Sequence, residues 1–124
     1  MAVPILKQGD VLIASIHAAL SDQDLVQLRD DLAERVGRLR IRGVVIDVTA
    51  LDVLDSFASR TIGGIAFTAR LRGANTVVVG IQPEVAFAMV QLGLTLEGVE
   101  TAHDLEDGLL ALREAAGQGR QRAS

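Results

Sequence analysis

Two short, unbroken apolar runs constrain the fold of this 124-residue chain more than any other feature. The sequence reads VVI at residues 44–46 and TVVVGI at residues 76–81, so both runs are rich in β-branched side chains. Apolar runs without alternating polar residues are typical of strands that are buried on both faces of a sheet. We therefore predict an α/β fold in which helices pack against a sheet and the run at 44–46 forms a central strand.

The N-terminal part of the chain predicts a hairpin followed by a helix. Residues 3–7 and 11–17 are rich in β-forming residues and flank a glycine-containing turn at 8–10. Ser21 then offers a helix cap, and apolar residues recur behind it at helical spacing, namely Leu25, Leu28, Leu32 and Val36. We expect two antiparallel strands and one amphipathic helix before the run at 44–46.

A second helix is predicted from about Ser56 to Leu71. Its apolar stripe consists of Ala58, Ile62, Ile65, Ala66 and Ala69. The pair Gly63-Gly64 lies inside this helix, where each glycine costs about 1 kcal/mol relative to alanine. We interpret the pair as a site at which a neighbouring backbone approaches closely, and the alternative is that the helix simply tolerates the two glycines.

The remaining residues predict two more helices around a short edge strand. Pro83 suits the first turn of a helix that closes at Gly93, and Leu96, Val99 and Thr101 allow a brief strand. A last helix carries the residues Asp104, Leu105, Leu109 and Leu112. We expect one domain at residues 3–114, with a mixed sheet opened by a hairpin and about four helices, and a flexible polar tail at 115–124.

Composition and charge exclude several functional classes. The chain has no cysteine, which rules out disulfides and thiolate metal sites, and no apolar stretch approaches the roughly 20 residues of a membrane helix. A net charge of −4, with three Phe and neither Trp nor Tyr, argues against nucleic-acid binding. No secretory leader is evident, so we expect a cytoplasmic protein. We also expect that it binds no cofactor.

A cluster of four arginines interrupts the otherwise acidic balance. Its members are Arg35, Arg38, Arg40 and Arg42. Cations are favourable near a helix C-terminus, so we interpret the cluster as a solvated helix end, with an acidic partner as the alternative.

The candidate site is the acidic loop that follows the central strand. Asp47, Asp52 and Asp55 lead to the hydroxyl of Ser56 at the predicted start of a helix. Free backbone N–H groups and the positive dipole end would hold a phosphate there. On these residues alone, Ser56 is either a simple helix cap or a modification site.

Neighbouring residues offer alternative hydroxyls for modification and possible contacts for a phosphate or a protein partner at Ser56. Ser59 and Thr61 carry hydroxyls one turn further in, where fewer N–H groups are free to stabilise a dianion. Arg60 lies four residues after Ser56 and is either a partner for a phosphate or an ordinary surface arginine. Phe57 is either a core residue or a contact for a protein partner.

Catalytic alternatives find little support in the sequence. A Mg²⁺-dependent phosphoryl receiver built on the three aspartates needs a late-strand lysine, but Lys7 is the only lysine. A hydrolase centred on Ser56 would need His17 or His103 as its base, and the two histidines are too far apart in sequence to form a paired-histidine metal motif. Walker loops, G-x-S-x-G and G-x-G-x-x-G motifs are absent.

Four segments together resemble the STAS family of anti-sigma factor antagonists. They read PILK at 4–7, GVVIDVT at 43–49, DSF at 55–57 and GIQPEVA at 80–86. The resemblance runs from Pro4 to Leu112, and within the family it is greatest to the RsbS type of stressosome protein. It implies a mixed-sheet domain with four helices and no enzymatic activity.

By this resemblance the chain is a phospho-switch scaffold. RsbS-type proteins assemble with RsbR-type STAS co-antagonists into a large homo- and hetero-oligomeric complex that holds an RsbT-type serine kinase. The resemblance assigns the phosphorylated serine to Ser56, with Asp52, Asp55, Phe57 and Arg60 as the surrounding loop and partner contacts. An RsbX-type phosphatase would reset it. The alternatives are a stand-alone antagonist of an anti-sigma kinase and a small-molecule-sensing STAS module.

Overall fold

A computed structural model describes residues 3–18, 20–96 and 98–123, with the backbone alone for 118–123. The strands are β1 (Ile5–Gln8), β2 (Val11–Ser15), β3 (Gly43–Asp47), β4 (Asn75–Val79) and β5 (Glu100–Ala102). The helices are α1 (Asp22–Arg38), α2 (Ser56–Leu71), α3 (Pro83–Leu92) and α4 (Leu105–Ala123). The predicted α/β class and the order of its elements are confirmed.

The five strands form one sheet in the order β1-β2-β3-β4-β5. β1 and β2 are antiparallel and are joined through a turn in which Gly9 has a φ of 62°, whereas all other neighbours are parallel. The predicted opening hairpin and the central position of β3 are therefore confirmed.

Helices cover both faces of the sheet, and successive side chains of each strand point to opposite faces. Val44 and Ile46 of β3 pack into the larger core with α1, α2 and α3, whereas Val45 packs into a smaller core with Leu112 of α4. All three residues have no exposed surface. The unbroken apolar run at 44–46 is thus explained by the position of β3 between two layers of helices.

Glycines let α4 lie close to the sheet. A Cβ at Gly108 would lie 2.7 Å from Cγ1 of Val79, and a Cβ at Gly43 would lie 2.8 Å from Cδ1 of Leu112. Distances of that size require a neighbour to move, so the smaller core depends on the absence of side chains at these two positions.

Helix ends follow the local sequence signals. Ser21 Oγ accepts a hydrogen bond from the N–H of Asp24 at 3.1 Å, and Asp24 Oδ2 accepts one from the N–H of Ser21 at 3.0 Å, which completes a capping box. α3 begins at Pro83 and ends at Gly93, whose φ is 68°. These predicted bounds are confirmed.

The interpretation of Gly63-Gly64 as a close-approach site is wrong. A Cβ at Gly63 would have no described neighbour within 4 Å, and one at Gly64 would meet only Cδ of Arg29 at 3.8 Å. The pair therefore weakens α2 without permitting closer packing.

The edge strand lies later in the chain than predicted. β5 includes Thr101, but Leu96 and Val99 precede it and pack against the larger core instead. Their apolar side chains are used in packing rather than in a strand ladder.

α4 is also longer than expected, and it continues to Ala123 through most of the predicted tail at 115–124. The flexibility of that tail stays a prediction, and Ser124 lies outside the described residues. Among the described residues, no helix is both long and apolar enough to cross a membrane.

Candidate functional site

The loop from Val48 to Asp55 links the carboxyl end of β3 to α2 and is held by its apolar members. Val48, Leu51 and Leu54 are buried in the larger core. The N–H of Val48 donates to the carbonyl of Val79 at 3.0 Å, and the N–H of Leu51 donates to that of Val48 at 2.9 Å. The buried residues fix the loop, so its acidic members and Ser56 are presented to solvent.

Asp47 and Gln82 fasten the start of this loop to α3. Asp47 Oδ1 accepts from the N–H of Thr49 at 2.9 Å and from its hydroxyl at 2.6 Å. Gln82, the N-cap residue of α3, donates from Nε2 to the carbonyl of Thr49 at 2.6 Å. Gly80 has a φ of 79°, and a Cβ there would overlap the side chain of Thr49. The loop at 48–55 and α3 are thus joined directly.

Asp55, rather than Ser56, caps α2. Asp55 Oδ1 accepts from the N–H of Ala58 at 2.8 Å, and its carbonyl accepts from the N–H of Ser59 at 3.0 Å. Ser56 is the first helical residue and is exposed. The N–H groups of Ser56 and Phe57 have no acceptor among the described residues. The helix end therefore has free donors beside an exposed hydroxyl.

The competing hydroxyls are buried. Ser59 is 4% exposed and its Oγ has no partner among the described residues, while Thr61 is 7% exposed and donates to the carbonyl of Phe57 at 2.8 Å. A kinase acts on a hydroxyl that it can reach. Of these three side chains, only Ser56 is accessible in the folded chain.

The other predicted site residues surround Ser56 in different ways. Asp52 is exposed and forms no hydrogen bond or ion pair with any described residue. Phe57 is half-buried and packs against the larger core. Arg60 is exposed one turn along α2, and no described carboxylate pairs with it.

Two grooves flank the loop at 48–55, and Asp52, Val53 and Asp55 border both. The groove on the α1 side holds about 370 Å³ and includes His17 and Asp22. The groove on the α3 side holds about 440 Å³, and we call it the α3 groove. It is lined by Asp52, Val53, Leu54, Asp55, Ser56, Val85, Ala88, Leu92 and Leu94.

The grooves separate the residues that a serine hydrolase would need. His17 lines the α1 side, Ser56 lines the α3 side, and no hydrogen bond joins them. The sequence did not predict that His17 shares a groove with three aspartates, because that depends on two adjacent parallel strands ending at one edge of the sheet. Within the described ranges, no group of three or more acidic or histidine side chains could hold a metal ion.

Charge is divided between the two ends of the molecule. The edge that bears Ser56 also bears Asp22 and Asp24 in the first turn of α1 and Glu84 in that of α3. Basic residues lie in the last turns of α1 and α2 at the opposite edge, where Arg38 pairs with Glu34 at 2.8 Å, whereas the last turn of α3 has none. This arrangement is that of acids at helix N-termini and cations at C-termini, which supports the interpretation of the arginine cluster as a solvated helix end.

Comparison with known proteins identifies proteins that are similar to this chain. RsbS from Moorella thermoacetica is 38% identical, with a TM-score of 0.79 over 92% of this chain and 97% of that one. A chain in a structure of the stressosome, a signal integration and transduction hub, is also 38% identical, with a TM-score of 0.76 over 91% and 98%.

A curated relative is the RsbT co-antagonist protein RsbRA of Bacillus subtilis strain 168, which is 26% identical over 107 residues. The match includes 86% of this chain but only 38% of the length of RsbRA. The model of the STAS domain matches residues 2–107. On that match and the mixed five-stranded sheet with four helices, the chain belongs to the STAS domain family.

Proposed function

We propose that this chain is a non-catalytic phospho-switch scaffold of a bacterial stressosome, which holds an RsbT-type serine kinase and releases it when Ser56 is phosphorylated. The observation that carries the proposal is the position of Ser56. Its hydroxyl is exposed at the first residue of α2, beside two free N–H groups, while Ser59 and Thr61 are buried. A phosphate on Ser56 lies where a helix stabilises negative charge best.

Release follows from charge. Phosphorylation adds about −1.5 to −2 charges at neutral pH. The loop already carries Asp52 and Asp55, and neither has a cationic partner among the described residues. Added negative charge costs desolvation energy where the kinase contacts the loop through apolar groups, so a docked kinase leaves without any change of fold.

The likeness to RsbS and to RsbRA supports the choice of partners. RsbRA is named a co-antagonist of RsbT, and its matched part is the length of a single STAS domain. We propose that this chain assembles in the cytoplasm with an RsbR-type co-antagonist, that an RsbT-type kinase phosphorylates it, and that an RsbX-type phosphatase resets Ser56. Arg60, one turn from Ser56 and unpaired among the described residues, would contact the phosphate.

The direct test is phosphate transfer from ATP by the purified cognate kinase. Wild type should gain one phosphate, and Ser56→Ala should gain none while still retaining the kinase. Ser15→Ala is the matched control, because Ser15 is exposed at the end of β2 and lines neither groove. Unchanged phosphate uptake by Ser56→Ala would refute the site.

A size measurement distinguishes a stressosome scaffold from a stand-alone antagonist. Mixed with an RsbR-type STAS protein, a scaffold should elute or sediment as a large mixed complex. A stand-alone antagonist should instead remain small and bind only its kinase.

A further inference from the structure

α3 is apolar on every side but only partly covered. Its ten residues include just two charged or amide side chains, Glu84 and Gln91, yet only Val85 and Met89 are buried. Large apolar side chains face solvent, with exposed fractions of 66% for Phe87, 78% for Val90 and 70% for Leu92. A helix that is apolar all round is normally buried, and a concentrated apolar surface marks an interaction site.

The α3 groove continues this apolar surface to the phosphosite. Leu92 belongs both to the exposed set and to the groove lining, and Val53, on the opposite wall, is 72% exposed. Ala88 lies on the α3 wall, where its small side chain leaves space. Ser56 lines the same groove.

The charges along the groove are of one sign. Asp52 and Asp55 line it, Glu84 lies in the first turn of α3, and no lysine or arginine is among its described lining residues. An occupant that complements this surface is apolar in its centre and basic at its flanks.

We infer that the α3 groove receives an apolar segment, flanked by basic residues, of the serine kinase that modifies Ser56. The inference rests on the proposed function and adds where the kinase docks. The hydrogen bond from Gln82 to Thr49 fixes the two walls relative to each other, so the groove exists before the kinase binds. A phosphate on Ser56 then puts a dianion on the wall that contacts the apolar segment, and one surface accounts for both capture and release.

The test compares two glutamates placed on the same helix. Ala88 and Ala86 are both exposed residues of α3, but only Ala88 lines the groove. Binding of the purified kinase without ATP is measured for Ala88→Glu and Ala86→Glu. A carboxylate inside an apolar contact should weaken binding about tenfold in Ala88→Glu, whereas Ala86→Glu should stay within about twofold of wild type.

An uncharged pair of variants separates apolar contact from charge. Leu92→Ser removes an exposed apolar side chain from the groove, and Leu110→Ser does the same on α4, where Leu110 is 49% exposed. Kinase binding should weaken several-fold for Leu92→Ser, on the order of 1 kcal/mol, and stay unchanged for Leu110→Ser. Equal effects in both members of either pair would overturn the inference.

Phosphorylation kinetics distinguish failure of the docking site from failure of the proposed function. Ala88→Glu should still accept one phosphate on Ser56 at saturating kinase, with the half-saturating concentration raised about tenfold and the maximal rate unchanged. If wild type accepts no phosphate, the proposed function fails. If wild type is phosphorylated but Ala88→Glu and Ala86→Glu both bind the kinase as tightly as wild type, only the groove assignment fails.

Discussion

At the scale of single residues, the sequence predicts the position of Ser56 but not its role in the helix. Asp55 and Ser56 are both residue types that cap helices, and they are adjacent. The choice between them depends on backbone angles, and Asp55 has the extended values, φ −77° and ψ 176°. Local sequence therefore predicts that α2 is capped here, but only the folded loop shows that the serine is left free.

Removal of the capping carboxylate of Asp55 should destabilise the domain, whereas removal of the nearby carboxylate of Asp52 should not. Asp55→Ala loses the hydrogen bond to the N–H of Ala58, and we expect unfolding to become easier by about 1 kcal/mol. Asp52→Ala, which removes an exposed carboxylate without a described partner, should stay within about 0.5 kcal/mol of wild type. Urea unfolding of both variants checks this, and equal losses would contradict the assignment of the cap.

Gly80 should be the more sensitive of two glycines in the left-handed region. Gly80 and Gly93 have φ values of 79° and 68°, so alanine at either position costs about 1 kcal/mol in backbone strain. At Gly80 the new Cβ also overlaps Thr49, whereas at Gly93 it meets no described atom within 4 Å. Gly80→Ala should therefore lose clearly more stability than Gly93→Ala in chemical denaturation. Similar losses of stability in the two variants would show that the Thr49 side chain can move aside at little cost.

At the scale of elements, periodicity predicts helices better than it predicts the short edge strand. The apolar stripe of α1, for example Leu28 and Leu32, is repeated over four turns and is buried as expected. β5 has only three residues, too few to show a period of two. Leu96 and Val99 lie near it in sequence but serve the core, so the apolar pattern pointed to the wrong residues.

Two glycines in helices should respond oppositely to the same substitution. Gly63→Ala places a methyl group in open space inside α2 and should raise stability by about 0.5–1 kcal/mol. Gly108→Ala places one 2.7 Å from Cγ1 of Val79 and should lower stability by about 1–3 kcal/mol. Thermal unfolding measures both. A loss at Gly63 would restore the view that the glycine has a packing role.

At the scale of the whole molecule, the division of charge bears on how the kinase is bound. Helix N-termini and acidic residues lie at the edge that bears Ser56, and the basic helix ends lie at the other. The sequence supplies the charges, but their grouping follows from the parallel strands, which bring distant loops to one edge. The candidate site was therefore predicted as a set of residues, and its grooves were not.

A charge on Ser56 should weaken kinase binding even at high salt. Ser56→Asp adds a carboxylate next to Asp52 and Asp55, whereas Ser15→Asp adds one at the end of β2. We expect Ser56→Asp to weaken binding several-fold more than Ser15→Asp at low ionic strength. The difference should persist at about 1 M salt, where the Debye length is about 3 Å, because it comes from burying a charge against an apolar segment and not from repulsion between surface charges. Calorimetric titration at two salt concentrations measures it, and equal binding of both variants would count against release by charge.

The free N–H groups at the start of α2 also bear on the duration of a signal. On the proposed function, a phosphate on Ser56 removes the kinase but satisfies donors that the unmodified helix leaves open. The modified chain then has hydrogen bonds at the start of α2 that the unmodified chain lacks, and loss of the phosphate gives them up. The phosphorylated chain would thus keep the signal after the stress has ended. The rate of the phosphatase would set how long the signal lasts.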